Sequence, residues 1–174
     1  MTSVSLIRPS MELQDAYLDF YRDWKESGED MVPWVIEKDP SYFEVMLDFL
    51  WKNEDKKCIS EGWVPSSTYW LVVDGQIIVG AVNIRHDLTE KLYNCGGHIG
   101  YGIRPSEKKK GYATRLLAFA LEKSKEIGIN KALVVCDDYN TASKKTIINN
   151  GGVQDKDFID EDGNVINRFW IELE

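Results

Sequence analysis

The run from His98 to Cys136 constrains this chain more than any other part of it. An apolar stretch, His98–Arg104, stops at Pro105, and a lysine-dense bend, Lys108-Lys109-Lys110, follows. Ala113, Leu116, Leu117, Ala120, Leu121 and Ile127 then recur at helical spacing up to Gly128, and Ala132–Cys136 reads as a compact buried strand. A strand, a helix and a second strand in that order must cross over right-handed and lay the two strands parallel, with the helix covering one face. The chain therefore contains a helix-covered sheet, and the remaining elements must attach to it.

Those elements can be read in order. Val4–Arg8 is a short strand closed by Pro9. Leu13, Ala16, Tyr17, Phe20, Tyr21 and Trp24 form a helical stripe ended by Gly28. A second helix carries Phe43, Met46, Leu47, Leu50 and Trp51. Its start is announced twice, by Asp39-Pro40 and by a competing capping box, Ser41-x-x-Glu44. Thr68–Val73 and Gln76–Arg85, joined by Asp74-Gly75, predict a β-hairpin. After Cys136, helical spacing resumes beyond Asn140 and ends at Gly151-Gly152, and Val153–Ile159 with Val165–Leu173 predicts a terminal hairpin. The predicted order is β-α-α-β-β-β-α-β-α-β-β. This is an α+β class with one mixed central sheet of about seven strands and about four helices, in a single domain over residues 1–174.

Several function classes are disfavoured. Net charge is −8, against a general nucleic-acid binder. Residues 1–64 hold 7 basic against 14 acidic side chains, and the remainder is nearly balanced at 14 against 15. Cys58, Cys95 and Cys136 are odd in number and widely spaced, which argues against a disulfide framework or a thiolate zinc site. His86 and His98 lack metal-ligand spacing, so no metal is expected. No apolar run approaches a membrane span and the N-terminus lacks a signal peptide's apolar region, so no membrane partner and a cytoplasmic location are expected.

The chemistry-bearing stretch is Gly96–Arg115: a strand, a tight basic loop, then a helix opening on Gly111 and Ala113. Small residues there admit close approach, and free amides at a helix start suit a phosphate or pyrophosphate. The P-loop pattern GxxxxGK[ST] is absent. Gly100-Tyr101-Gly102 begins a GxGxxG in which Pro105 replaces the third glycine. Both nucleotide-loop readings fail.

Lys108-Lys109-Lys110-Gly111-Tyr112-Ala113 resembles the Arg/Gln-x-x-Gly-x-Gly/Ala signature of the GNAT superfamily of N-acetyltransferases, with lysine in the first position. Asn140-x-x-Ser143, on a segment ending in Gly151-Gly152, is similar to that superfamily's Asn-x-x-Ala/Ser segment, and the element order matches over nearly the whole chain. The resemblance implies acetyl transfer from acetyl-CoA to an amine, with the pantetheine arm entering between splayed fourth and fifth strands. It places backbone groups of Tyr101 and Ile103 on the pantetheine amides. Lys108, Lys109, Lys110, Gly111, Tyr112, Ala113 and Thr114 fall around the pyrophosphate and Ser143 near the pantetheine, with Asn140 either orienting the pantetheine or capping the helix. Gly100 and Gly102 suit either a closely approached strand or a bulge.

By the same resemblance, a fourth-strand base falls at His98, with His86 second, and the Ile103 N–H would serve the oxyanion. The family's helix tyrosine, seven residues beyond the asparagine, falls at Ile147, which cannot donate a proton. That role passes to Ser143, one turn earlier. Cys136 reads as packed and inert. The region Glu26–Pro40 would wall the acceptor, with Glu26, Glu29, Asp30, Glu37 and Asp39 around Trp34 to receive a cationic small-molecule or peptide amine. The implied layout is an acidic acceptor side in 1–64, a coenzyme core in 67–152 and a terminal hairpin in 153–174, with homodimerisation left open. The competing expectation is a degenerate acyl-CoA-binding sensor or scaffold without turnover.

Overall fold

The computed structural model describes residues 2–174. In chain order it contains β1 (Val4–Ile7), α1 (Gln14–Ser27), α2 (Phe43–Lys52), β2 (Ser66–Val73), β3 (Ile77–Arg85) and β4 (Ile99–Ile103). There follow α3 (Tyr112–Glu126), β5 (Lys131–Asp137), α4 (Thr141–Asn149), β6 (Val153–Ile159) and β7 (Val165–Glu172). The α+β class and the element order are as the sequence predicts. Short helical turns at Met11–Leu13, Trp34–Glu37, Lys56–Cys58, Leu92–Gly96 and Pro105–Glu107 lie outside that prediction. No helix among the described residues is long and apolar enough to cross a membrane.

The strands do not form one continuous sheet. Strands β1-β2-β3-β4 make a four-stranded antiparallel sheet, and β5-β7-β6 make a three-stranded one in which the final strand inserts between its neighbours. The two sheets meet just before β4. There the His98 N–H donates to the Leu133 carbonyl at 2.7 Å, and the Leu133 N–H donates to His98 Nδ1 at 2.9 Å. Beyond that clamp no ladder pairs β4 with β5 among the described residues. The parallel pair implied by the crossover is thus held at one end and open along the rest.

Local chemistry explains most boundaries. Asp74 and Gly75 both take positive φ, 50° and 68°, the turn whose twist matches a tight hairpin. Gly28 ends α1 at φ 71°. Neither predicted start of α2 is used: the helix begins at Phe43 behind Tyr42, which makes no side-chain cap. Asp39 instead accepts from both the N–H and the hydroxyl of Ser41, a local turn that diverts the serine from a capping box.

Alternation along the first sheet builds two cores. Val82, Ile84, Ile99 and Ile103 pack with Leu116, Leu117 and Ala120 of α3 and Ile147 of α4. Trp70, Val72, Ile78 and Ala81 pack with Tyr17, Phe20 and Trp24 of α1 and Phe43, Met46 and Leu47 of α2. Each fully buried large side chain contributes about 2 kcal/mol of transfer free energy. Ile127, predicted on the α3 stripe, lies past the helix end and is exposed. Arg104 ties the end of β4 to α1: its Nε donates to Asp23 at 2.8 Å, one Nη to Asp19 at 3.1 Å and the other to the Ile78 carbonyl. Burial would raise the Asp23 carboxyl, but hydrogen bonds from Ser106 and Arg104 hold it below the usual range. This network fixes the base of the loop that follows β4.

Candidate active site

Between the end of β4, the lysine loop with the start of α3, and α4 lies a cleft of about 390 Å³, lined among others by Tyr101, Gly102, Ile103, Asn140 and Ser143 and by residues of the lysine loop. Lys108, Lys109, Gly111, Tyr112, Ala113 and Thr114 border it, together with Trp24, Val32, Glu107, Ala142 and Thr146, which sequence reasoning did not single out. Lys110 is absent from this lining; its ammonium pairs with Glu107 at 2.8 Å.

At the loop end, Lys109 and Gly111 take positive φ, 65° and 84°, with Lys110 between them at negative φ. Such alternation turns successive amides toward one concavity that suits an anion. The N–H groups of Lys109 to Gly111 make no hydrogen bond within the described residues. A Cβ built on Gly111 meets nothing within 4 Å, so this spot is open. Lys108 is held at 3.0 Å by Glu29 and lies over the Trp24 ring. Two of the three lysines therefore already have carboxylate partners, and the unbonded amides of the bend are its strongest anion-directed feature.

Toward the interior, the Tyr101 hydroxyl and Ser143 Oγ stand 3.0 Å apart, linking β4 to α4. Burial pushes the Tyr101 phenol up to about 12, against a lowering hydrogen bond from Ser143. The Asn140 side chain accepts from the Ser143 N–H at 3.1 Å, so Asn140 caps α4 and fixes the serine. Ile147 is fully buried in the α3 core, where a tyrosine hydroxyl would lack access to the cleft. Burial raises the Cys136 thiol, keeping it protonated.

The histidines take other places. Because His98 Nδ1 accepts from Leu133, the neutral ring carries its proton on Nε2 and has no vacant lone pair with which to accept another. Burial lowers its pKa further from the protonated form. The imidazole is thus a clamp between strands, and the expectation of a base there lacks an acceptor atom. His86 Nε2 is 2.8 Å from Ser67 Oγ, and His86 lines neither main cavity.

Gly100 and Gly102 are not bulges, since β3–β4 register runs unbroken from Gly80↔Ile103 to Ile84↔Ile99. They admit the chain's own Val32-Pro33 segment: a Cβ on Gly102 would lie 2.7 Å from Val32 Cγ2, and one on Gly100 3.5 Å from Pro33. Beyond this segment opens a second cavity of about 520 Å³, lined by Trp34, Trp63, Asn83, Arg85, Lys91 and Cys95 among others. Trp34 lines this cavity, but the carboxylates that the sequence groups around it do not. None of Glu26, Glu29, Asp30, Glu37 and Asp39 lines this cavity; its charged side chains are Arg85 and Lys91. Glu29 is engaged by Lys108 and Asp39 by Ser41, so nearness along the chain to Trp34 does not become nearness in space.

A model of the "Acetyltransferase (GNAT) family" matches residues 12–147. No curated protein matches the sequence. Among solved structures, RimJ of Mycobacterium smegmatis in complex with CoA-disulfide superposes with a TM-score of 0.70 at 17% identity, covering 97% of this chain and 81% of that one. Spermidine N-acetyltransferase from Vibrio cholerae gives 0.66 at 14%, covering 98% and 94%. The microcin C7 self-immunity acetyltransferase MccE, in complex with acetyl-CoA and AMP, gives 0.68 at 13%, covering 97% and 92%. At such identities these likenesses are of fold, and with the family match over most of the length they have one meaning: the chain belongs to the GNAT acetyltransferase family.

Proposed function

We infer that the protein is an acetyl-CoA-dependent N-acetyltransferase that acetylates a primary amine by direct attack. The observation that carries this reading is the cleft along Tyr101–Ile103 of β4, with unbonded amides at one end and the Tyr101–Ser143 pair inside. Acetyl-CoA supplies an activated thioester carbonyl. Amides from Lys109 to Thr114 take its pyrophosphate, and backbone groups of Tyr101 and Ile103, unpaired toward β5, hold the pantetheine amides. The Ile103 N–H is the simplest oxyanion donor. In this layout residues 67–152 form the coenzyme side, and the acceptor side draws on β3 and Leu92–Gly96 as well as on residues 1–64.

Tyr101 and Ser143 act on the leaving sulfur. Outright transfer from a phenol near 12 to a thiolate of pKa about 8.5 is uphill by about 5 kcal/mol. The pair therefore donates a hydrogen bond: one hydroxyl donates to the other, which is left free to donate toward sulfur. Ser143→Ala should lower kcat by about tenfold with CoA affinity nearly unchanged, and Tyr101→Phe should do the same because it removes the same relay. The double variant should be no worse than either single one; additive losses in steady-state kinetics would separate the two hydroxyls.

Among the described residues no carboxylate and no histidine lines the larger cavity, so the acceptor amine enters neutral and sheds its proton to solvent. The deciding experiment is thiol release from acetyl-CoA with a panel of amines, run beside thermal unfolding with CoA. At ten times its dissociation constant, CoA should add about 1.4 kcal/mol to the unfolding free energy. Absence of any shift in millimolar CoA would remove the coenzyme reading; a shift without amine-stimulated thiol release would leave a binding module.

A further inference from the structure

The cavity beyond Val32-Pro33 contains positive charge that no carboxylate among the described residues pairs. Arg85 is partly buried, and one Nη donates to the carbonyls of Gly96 at 3.0 Å and Gly97 at 3.1 Å. Those two bonds orient the guanidinium without balancing it. No carboxylate pairs with Arg85 or with Lys91 among the described residues. This is notable in a chain of net charge −8, whose acidic side chains outnumber its basic ones. A desolvated cation without a partner is costly, and a ligand's anion would offset that cost.

The rest of the cavity describes the ligand's body. Trp34 packs tilted against Trp63, with centroids 5.6 Å apart, and its Nε1–H donates to Asn83 Oδ1 at 3.3 Å. The Asn83 amide nitrogen donates in turn to Thr68. The polar atoms around the indole are thus satisfied internally, leaving an aromatic wall, of which Trp63 is 60% exposed. The other Nη of Arg85 lies 3.7 Å from where a Cβ of Gly100 would be, one residue before Tyr101. An anion on Arg85 therefore sits beside the strand along which the thioester is placed.

Resting on the acetyltransferase reading, we propose that the acceptor is an amino carboxylate with an apolar body: its carboxylate is held by Arg85 with Lys91 adding to the field, its body lies on Trp34 and Trp63, and its amine faces β4. The expectation of a cationic acceptor is reversed, because a polyamine would meet two like charges here. A free aromatic amino acid and a peptide whose acidic N-terminal residue is followed by an apolar one share this chemistry. The reaction balances simply: the N–C bond to acetyl forms, the C–S bond breaks, and the amine's proton is lost as CoA leaves as thiol.

The test compares phenylalanine with phenylalaninamide, a peptide amide beginning with aspartate with its asparagine counterpart, and spermidine. Thiol release gives kcat/KM, and thermal unfolding in the presence of CoA reads amine binding independently. Within at least one pair the carboxylate should lead by about 100-fold in wild type, and the Arg85→Gln variant should bring the pair to within a few-fold. The pair that shows the effect identifies the source. Arg85→Lys, which retains charge, should keep part of the preference. Parity of carboxylate and carboxamide in wild type overturns the proposal without any variant needing to fold, and so does a preference for spermidine. Carboxylate-selective stabilisation without thiol release would keep the Arg85 assignment and defeat the enzymatic reading. Amine turnover without carboxylate discrimination would do the reverse.

Discussion

Gly111→Glu should reduce CoA affinity by about 1,000-fold while leaving a folded chain. The position is open, since a Cβ there meets nothing within 4 Å, and the backbone takes φ 84°. A side chain therefore fits, at a conformational cost of about 1 kcal/mol. The added carboxylate would project from the bend whose amides are unbonded. Repulsion between unit charges about 4 Å apart near a protein surface is about 4 kcal/mol, which corresponds to the stated loss of affinity. Gly111→Ala supplies the control: it carries the same backbone strain without the charge, so its unfolding midpoint should match that of the glutamate variant and its affinity should fall less than tenfold. Calorimetric titration of CoA into both variants is the measurement. A glutamate variant within tenfold of the parent would move the diphosphate away from this loop.

The second large effect should come at the junction of the two sheets. Gly97 has φ 68° and ψ −176°, a region that only glycine occupies without strain. A Cβ on it would lie 2.6 Å from the Leu133 carbonyl oxygen, the atom that accepts from His98. Gly97→Ala should therefore lose about 2 kcal/mol to conformation and about as much to displaced backbone. A total near 4 kcal/mol is a large share of a domain's stability. Urea unfolding would show it as a lower midpoint at constant slope, and CoA affinity should fall with it, because the clamp sets where the strands part. Gly100→Ala, whose Cβ meets Pro33 at an ordinary 3.5 Å, should change stability by less than about 1 kcal/mol. Equal behaviour of the two alanine variants would mean that the clamp does not organise the cleft.

What the residues disclosed in advance were the features written in short spacings. The hairpin at Asp74-Gly75, the stop at Gly28, the crossover unit and the Asn140–Ser143 cap each depend on partners a few residues apart. The single mixed sheet is replaced by two, joined where the His98 ring takes the Leu133 amide across 35 positions, a contact that no short spacing carries. The motif spacing marks only the backbone of Tyr101. Its hydroxyl meets Ser143 across 42 positions, and the only hint was that Tyr101 alternates with Ile99 and Ile103 toward the same core. Arg85 ended a strand pattern as an ordinary polar terminus. Its isolation from any carboxylate is a property of the whole packed chain, as is the diversion of Glu29 and Asp39 to partners outside the cavity.

The Val32-Pro33 segment, seated on Gly102 and Gly100, has one last consequence. It acts as a partition wall: the chambers on its two flanks share no lining residue. Donor and recipient filling them as proposed would each have a private doorway, so neither would queue behind the other and loading could proceed in either sequence, the two meeting only at the thin strip of strand that the wall leaves bare.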